Sequence, residues 1–132
     1  MLKITLFVIL LPALAICGCS PRASKVGTQV SDSNGVKIEL TAYPDPAIAG
    51  ANTFYVHVTD DDTGQPVVNA NVTISAYNEL AGGGDRESGR SQGDGTYMVP
   101  IKLGIPDRYN LDVEVQRPGH DDSDTTFTVD AS

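Results

Sequence analysis

The chain has no tryptophan, and its aromatic residues are five tyrosines and three phenylalanines. Basic residues are scarce: nine Lys and Arg stand against seventeen Asp and Glu, a formal net charge of -8. Nucleic acid is thereby excluded as a partner, because phosphate binding needs Lys and Arg to neutralise it. Electrostatic adhesion to anionic lipid is excluded on the same ground. The sequence also lacks a nucleophile elbow with Ser, His and Asp in order, a Gly-rich phosphate loop opening a helix, and His-Glu-x-x-His. No catalytic activity is expected. Beyond residue 16 no long apolar run occurs, and no stretch carries a helical period.

The single long apolar run is Ile4 to Ile16, interrupted by Thr5 and Pro12 and preceded by the short basic start Met1 to Lys3. It is too short to span a bilayer as a helix, which takes ~20 apolar residues, and it has the plan of a secretory signal. It ends in Ile16-Cys17-Gly18-Cys19, which resembles a bacterial lipobox: aliphatic at minus three, small at minus one, then the acceptor cysteine. The alternative is an ordinary secretory signal with a soluble product. On the lipoprotein reading, residues 1–18 are removed and Cys19 becomes a lipidated thioether. The mature chain then holds no thiol and no disulfide, so cysteine nucleophiles, Cys-ligated zinc and redox chemistry fall away. The membrane becomes a partner through Cys19, since each buried acyl CH2 contributes ~0.8 kcal/mol. Ser20, where an Asp would signal inner-membrane retention, implies by resemblance the outer membrane in a Gram-negative host, facing the periplasm or the cell surface. A Gram-positive cell-surface lipoprotein is the alternative.

Residues 19–35 are polar, with Pro, Gly and Ser, and read as a flexible tether. From residue 36 to 132 the pattern changes to apolar alternation punctuated by turns. Six strands are expected: Val36 to Ala42, Thr53 to Thr59, Asn71 to Tyr77, Thr96 to Leu103, Tyr109 to Gln116 and Thr125 to Val129. A seventh, at an edge near Glu87 to Ser91, is the doubtful one, and Gly82-Gly83-Gly84 before it reads as a flexible loop. Each strand is half apolar, as antiparallel strands with one wet face are. The fold class is therefore all-β, a single immunoglobulin-like antiparallel β-sandwich of six to seven strands. Tyr109, opening a strand just after a turn, suits the tyrosine corner of such sandwiches.

Two motifs carry a family resemblance. One runs Ile48-Ala-Gly-Ala-Asn-Thr-Phe-Tyr-Val-His-Val-Thr-Asp60, then Gly64-Gln-Pro-Val-Val-Asn-Ala70 and Val72. The other is Gly95-Thr96-Tyr97 opening a strand, followed by the alternating strand from Tyr109. Together they resemble the YtkA-like/FixH family of small extracytoplasmic β-sandwich domains, over Val36 to Val129. The resemblance implies a link to copper handling or cytochrome oxidase assembly. Many members carry Met and His after the strand corresponding to Asn71 to Tyr77. This chain has Asn78-Glu79-Leu80-Ala81-Gly82-Gly83-Gly84 there, and Tyr109 in place of the usual Trp.

Two constellations could hold a metal. Matching the inward faces Phe54, Val56 and Val58 with Ile101, Val99 and Tyr97 puts His57 opposite Met98 on the outer face. Imidazole and thioether suit Cu(I), and the plain alternative is a solvated cross-strand pair. Asp60, Asp61 and Asp62, Asp94, and Asp121, Asp122 and Asp124 fall in three loops at one end of such a sandwich. Clustered carboxylates suit Ca2+, and the alternative is a repulsive, solubilising surface. No resident cofactor is expected beyond these two ions. Three functions remain open: a binding or accessory module for an envelope protein partner, metal handling or a Ca2+-stabilised domain, and a surface adhesion domain.

Overall fold

The computed structural model describes residues 27–80 and 82–132. Nine strands occur among them: β1 Thr28–Ser33, β2 Val36–Tyr43, β3 Gly50–Asp60, β4 Asn71–Asn78, β5 Gly82–Ser88, β6 Arg90–Ser91, β7 Thr96–Leu103, β8 Arg108–Gln116 and β9 Ser123–Asp130. One sheet has the order β1-β2-β3-β7-β6 and the other β5-β4-β8-β9, all neighbours antiparallel. This is an immunoglobulin-type strand order, in which the chain crosses between the sheets from β3 to β4, from β5 to β6 and from β7 to β8.

The expected alternation explains the packing. Val36, Ile38, Leu40, Phe54, Val56, Val58, Val99 and Leu103 bury one sheet's inner face. Val72, Ile74, Leu111, Val113 and Val115 bury the other's. A side-chain period of two places every second residue between the sheets. Tyr109 forms the corner foreseen for it: its hydroxyl donates to the Ile105 carbonyl and accepts from the Ile105 N–H, both at 3.0 Å.

Three expectations need correction. Residues 28–33, read as tether, form β1, which pairs with β2 along its whole length. They turn through Asn34 and Gly35, with φ of 45° and 80°, as a two-residue hairpin with both central residues left-handed. β1 also closes an edge of the sandwich. Gln29 Nε2 donates to the Thr128 carbonyl at 2.7 Å, and Ser31 shares a 2.7 Å hydrogen bond with Thr125. Residues 82–84, read as a loop, open β5, so the doubtful edge segment is longer than Glu87 to Ser91 and divides into β5 and β6. A Cβ on Gly84 would collide with the Ala76 carbonyl. Glycine lets β5 approach β4 where the pairing slips between Ser75 and Tyr77.

The third correction concerns register. Phe54 pairs with Val99 and Val56 with Tyr97, so His57 faces Thr96, while Met98 faces Tyr55. The slip of two residues arises because Asn52 takes an inward position opposite Ile101. Its amide is fully bonded there, donating to the Ile48 and Gly50 carbonyls and accepting from the Ile48 N–H. A buried polar residue that satisfies itself locally is invisible to hydrophobic matching.

The domain has two ends. Asp60, the 61–70 loop, the 92–95 turn and the 117–122 turn lie at one. Tyr43, the 44–49 loop, Leu80, the 104–107 turn and Gly27 lie at the other, as the strand registers require. No described helix is long and apolar enough to cross a membrane.

Candidate functional site

The Asp60 end is built by two motif segments folded onto each other. The 61–70 loop leaves β3 through a tight turn in which the Gly64 N–H donates to the Asp60 carbonyl at 2.8 Å. It then runs back along the end of β3: Pro66 bridges to Thr59, and the Val67 N–H donates to the Val58 carbonyl at 2.9 Å. Tyr97 fastens it from within. Its buried hydroxyl donates to the Val67 carbonyl at 2.8 Å and accepts from the Ala70 N–H at 2.9 Å. Gly95 fits beneath Pro66 with φ of 87°, a conformation that favours glycine. The Gly-x-Pro-Val-x-x-Ala and Gly-x-Tyr motifs are thus two halves of one clasp.

Arg117 completes this end. Sequence reasoning missed it, although a lone basic residue before a Pro-Gly turn and across from an Asp run was a usable signal. Its guanidinium reaches Asp60 Oδ2 at 2.9 Å, with the two side chains 9% and 21% exposed. Asp60 Oδ1 accepts from the Asp62 and Thr63 N–H groups and the Thr63 hydroxyl. The Thr63 N–H, and after it the Arg117 guanidinium, hold the Asp60 carboxyl below its ordinary pKa. Asp94 is likewise lowered, chiefly by the Thr96 N–H. The buried Arg117 Nε has no partner among the described residues. Such a pair positions the 117–120 turn against the 61–70 loop more than it stabilises the domain. Between them lies an open hollow of about 350 Å³, lined by Pro66, Val68, Arg117, Pro118 and His120 among others.

The lowered pKa values fix the sign of a pH effect. A depressed carboxyl contributes stability that is complete above its unfolded pKa and is lost as pH falls through its folded value. Stability is therefore expected to drop below about pH 4. Asp60→Asn should flatten that acid limb in denaturant titrations repeated at several pH values. An unchanged slope would mean that other groups carry it.

The candidate ligands are partly gathered and partly dispersed. The three acidic loops do share one end. Asp60 is committed to Arg117 and its own turn, and Asp94 Oδ1 accepts from the Thr96 N–H. Asp122 accepts from Asn34 through its carbonyl and from Gln116 through its carboxylate. Asp61, Asp62 and Asp121 are exposed. Asp124, expected in the loop, lies within β9, which begins at Ser123, and sits opposite Glu114. His57 Nδ1 is 3.0 Å from the Thr96 hydroxyl, and Met98 lies between Tyr55 and Arg90 in register. Among the described residues, no three His, Cys, Asp or Glu side chains are arranged to hold a metal ion. Cys19, with the rest of the signal and the start of the tether, lies outside the described residues.

The fold and the clasp define a small all-β sandwich domain of the immunoglobulin type. The family model described as YtkA-like matches residues 31–114, and the chain belongs to that family. A crystal structure of a DUF4426 family protein from Pseudomonas aeruginosa is similar, with a TM-score of 0.58 at 16% identity, covering 79% of this chain and 94% of the other. At that identity the likeness concerns the fold. No curated protein matches the chain.

Proposed function

We propose that the protein is a non-catalytic, lipid-anchored component of the cell envelope whose domain serves as a binding or accessory module for another envelope protein. The observation that carries this reading is the clasped Asp60 end. Its loops are fixed by buried side chains and frame an open hollow with an exposed apolar rim at Val68. Conserving shape in loops through a rigid scaffold is how binding surfaces are commonly built. The Ile16 to Cys19 segment supports lipid anchoring, and Ser20 supports the outer membrane.

Cys19→Ser tests the anchor. The variant is expected to leave the membrane fraction and appear in the soluble extracytoplasmic fraction, whereas continued membrane fractionation would refute it. A photocrosslinker at His120 tests the module. A discrete envelope-protein adduct, lost when Val68 is changed to Asp, is expected; the absence of any adduct in intact cells would remove the binding role.

A further inference from the structure

The Tyr43 end carries an unusual set of exposed apolar residues. Leu80 is 81% exposed and Tyr43 70%, and Ile48 and Ile105 are also exposed. Tyr43 ends β2, and the other three lie in loops at the same end of the sandwich: Ile48 in 44–49, Leu80 just after β4, and Ile105 in 104–107. Two of these loops are held rigid by buried side chains bonded to the backbone of the very residue displayed. Asn52 binds both the N–H and the carbonyl of Ile48, and Tyr109 does the same for Ile105. The apolar surface is therefore preorganised.

β1 decides what this surface meets. Without it, the chain would reach β2 at the Asp60 end. Because β1 runs antiparallel to β2, with Thr28 opposite Thr41, the chain instead enters at the Tyr43 end. Gly27 lies against the Asp45 carboxylate there. From Cys19 to Gly27 is eight residue steps, which span at most about 28 Å fully extended. The strand registers put Thr28 level with Thr41 and Tyr55, so Gly27 stands beside Phe54, and Asp60 lies six residues further along β3, about 20 Å at 3.3 Å per residue. A chain attached to lipid at Cys19 thus brings the Tyr43 end to the bilayer with little extension, whereas turning the Asp60 end and its 61–70 loop down to it would take a tether close to full extension.

We propose that the end bearing Tyr43, Ile48, Leu80 and Ile105 rests on the bilayer surface. This rests on the lipid-anchor reading of Cys19. Tyrosine and aliphatic tips suit the interfacial zone, where amphipathic rings settle at headgroup level. Lipid attachment keeps the local concentration high, so that a weak contact suffices. The surrounding Asp45, Glu79 and Asp107 favour zwitterionic over anionic headgroups. The hollow by Arg117 then points away from the membrane, toward a partner.

The mature lipoprotein has no free thiol, so a single introduced cysteine can be labelled with an environment-sensitive fluorophore. Leu80→Cys and Val68→Cys place the probe at opposite ends. In the lipidated protein on phosphatidylcholine and phosphatidylethanolamine vesicles, the Leu80 probe is expected to shift to the blue and to be quenched by headgroup-borne nitroxide. The Val68 probe is expected to do neither. Equal, aqueous spectra at both positions in protein that floats with the vesicles would overturn the docking and leave the anchor intact. Failure to float would refute the anchor, and the docking with it. A blue shift confined to native envelopes and absent from protein-free vesicles would assign the surface to a protein partner and overturn the proposal.

Discussion

Gly95→Ala is expected to lower the unfolding free energy by about 3–4 kcal/mol, and Tyr97→Phe by about 2 kcal/mol. The two costs have different origins. At Gly95 the backbone is left-handed, and a Cβ would stand 2.6 Å from Pro66 Cβ and 3.1 Å from the Val58 carbonyl oxygen. The Val58 carbonyl already serves Val67, and the Gly95 carbonyl accepts from Val58, so neither side can retreat without losing a hydrogen bond. Tyr97→Phe keeps almost all the volume of a fully buried ring but strands the Val67 carbonyl and the Ala70 N–H. Because both changes release the same loop, the double variant should cost less than the sum, a coupling expected between neighbours. Urea denaturation of the four proteins at constant m measures it. Additive costs, or a Gly95→Ala cost under about 1 kcal/mol, would mean that the two motifs do not act as one clasp.

Much of this was legible because hydrophobic alternation records burial directly. Val36, Ile38 and Leu40, or Leu111, Val113 and Val115, alternate because one face of each strand is dry. Tyr109 was readable from its place after a turn. The clasp was legible only as a pair of motifs, since nothing in Gly64 to Ala70 announces that its carbonyl and amide groups end on the Tyr97 hydroxyl. β1 was missed because its two faces are both wet enough to be polar. Thr28, Gln29 and Ser31 contribute hydrogen bonds rather than apolar area, and the readable signal was Asn34-Gly35, a hairpin dipeptide. The register of β3 on β7 was missed for a related reason. Parity alone allows any even slip, and the choice was made by Asn52, a polar residue that enters the core with its own partners. Arg117 escaped because an ion pair between residues 57 positions apart leaves no local pattern.

The polarity of the domain follows from the smallest of these misses. One hairpin strand of six residues, all polar but Val30, moves the start of the sandwich from one end to the other. The start of the described chain, to which an anchor at Cys19 would be tethered, therefore lies by the apolar loops and opposite the Arg117 hollow. Strand order alone would have placed it wrongly, so the orientation of the proposed module depends on β1 more than on any core strand.

Phe54→Ala is expected to cost about 3–5 kcal/mol, a large share of the ~5–15 kcal/mol that holds a domain of this size together. Many immunoglobulin-type sandwiches centre on a buried tryptophan packed against an inter-sheet disulfide. This chain has no tryptophan, and both cysteines lie before residue 20. Its core is aliphatic around a few rings, of which Phe54 is fully buried at the centre of β3, between Ala42 on β2 and Val99 on β7. Alanine at 42 leaves no larger neighbour on that side to close the gap, so the cavity term adds to the lost transfer energy. Phe54→Leu, which keeps most of the volume, should cost about 1–1.5 kcal/mol. Thermal and urea unfolding of the two variants separate the contributions. A Phe54→Ala cost no greater than that of Phe54→Leu would mean that the sheets close over the void, and that the stability of the sandwich rests on its hydrogen-bonded edges instead.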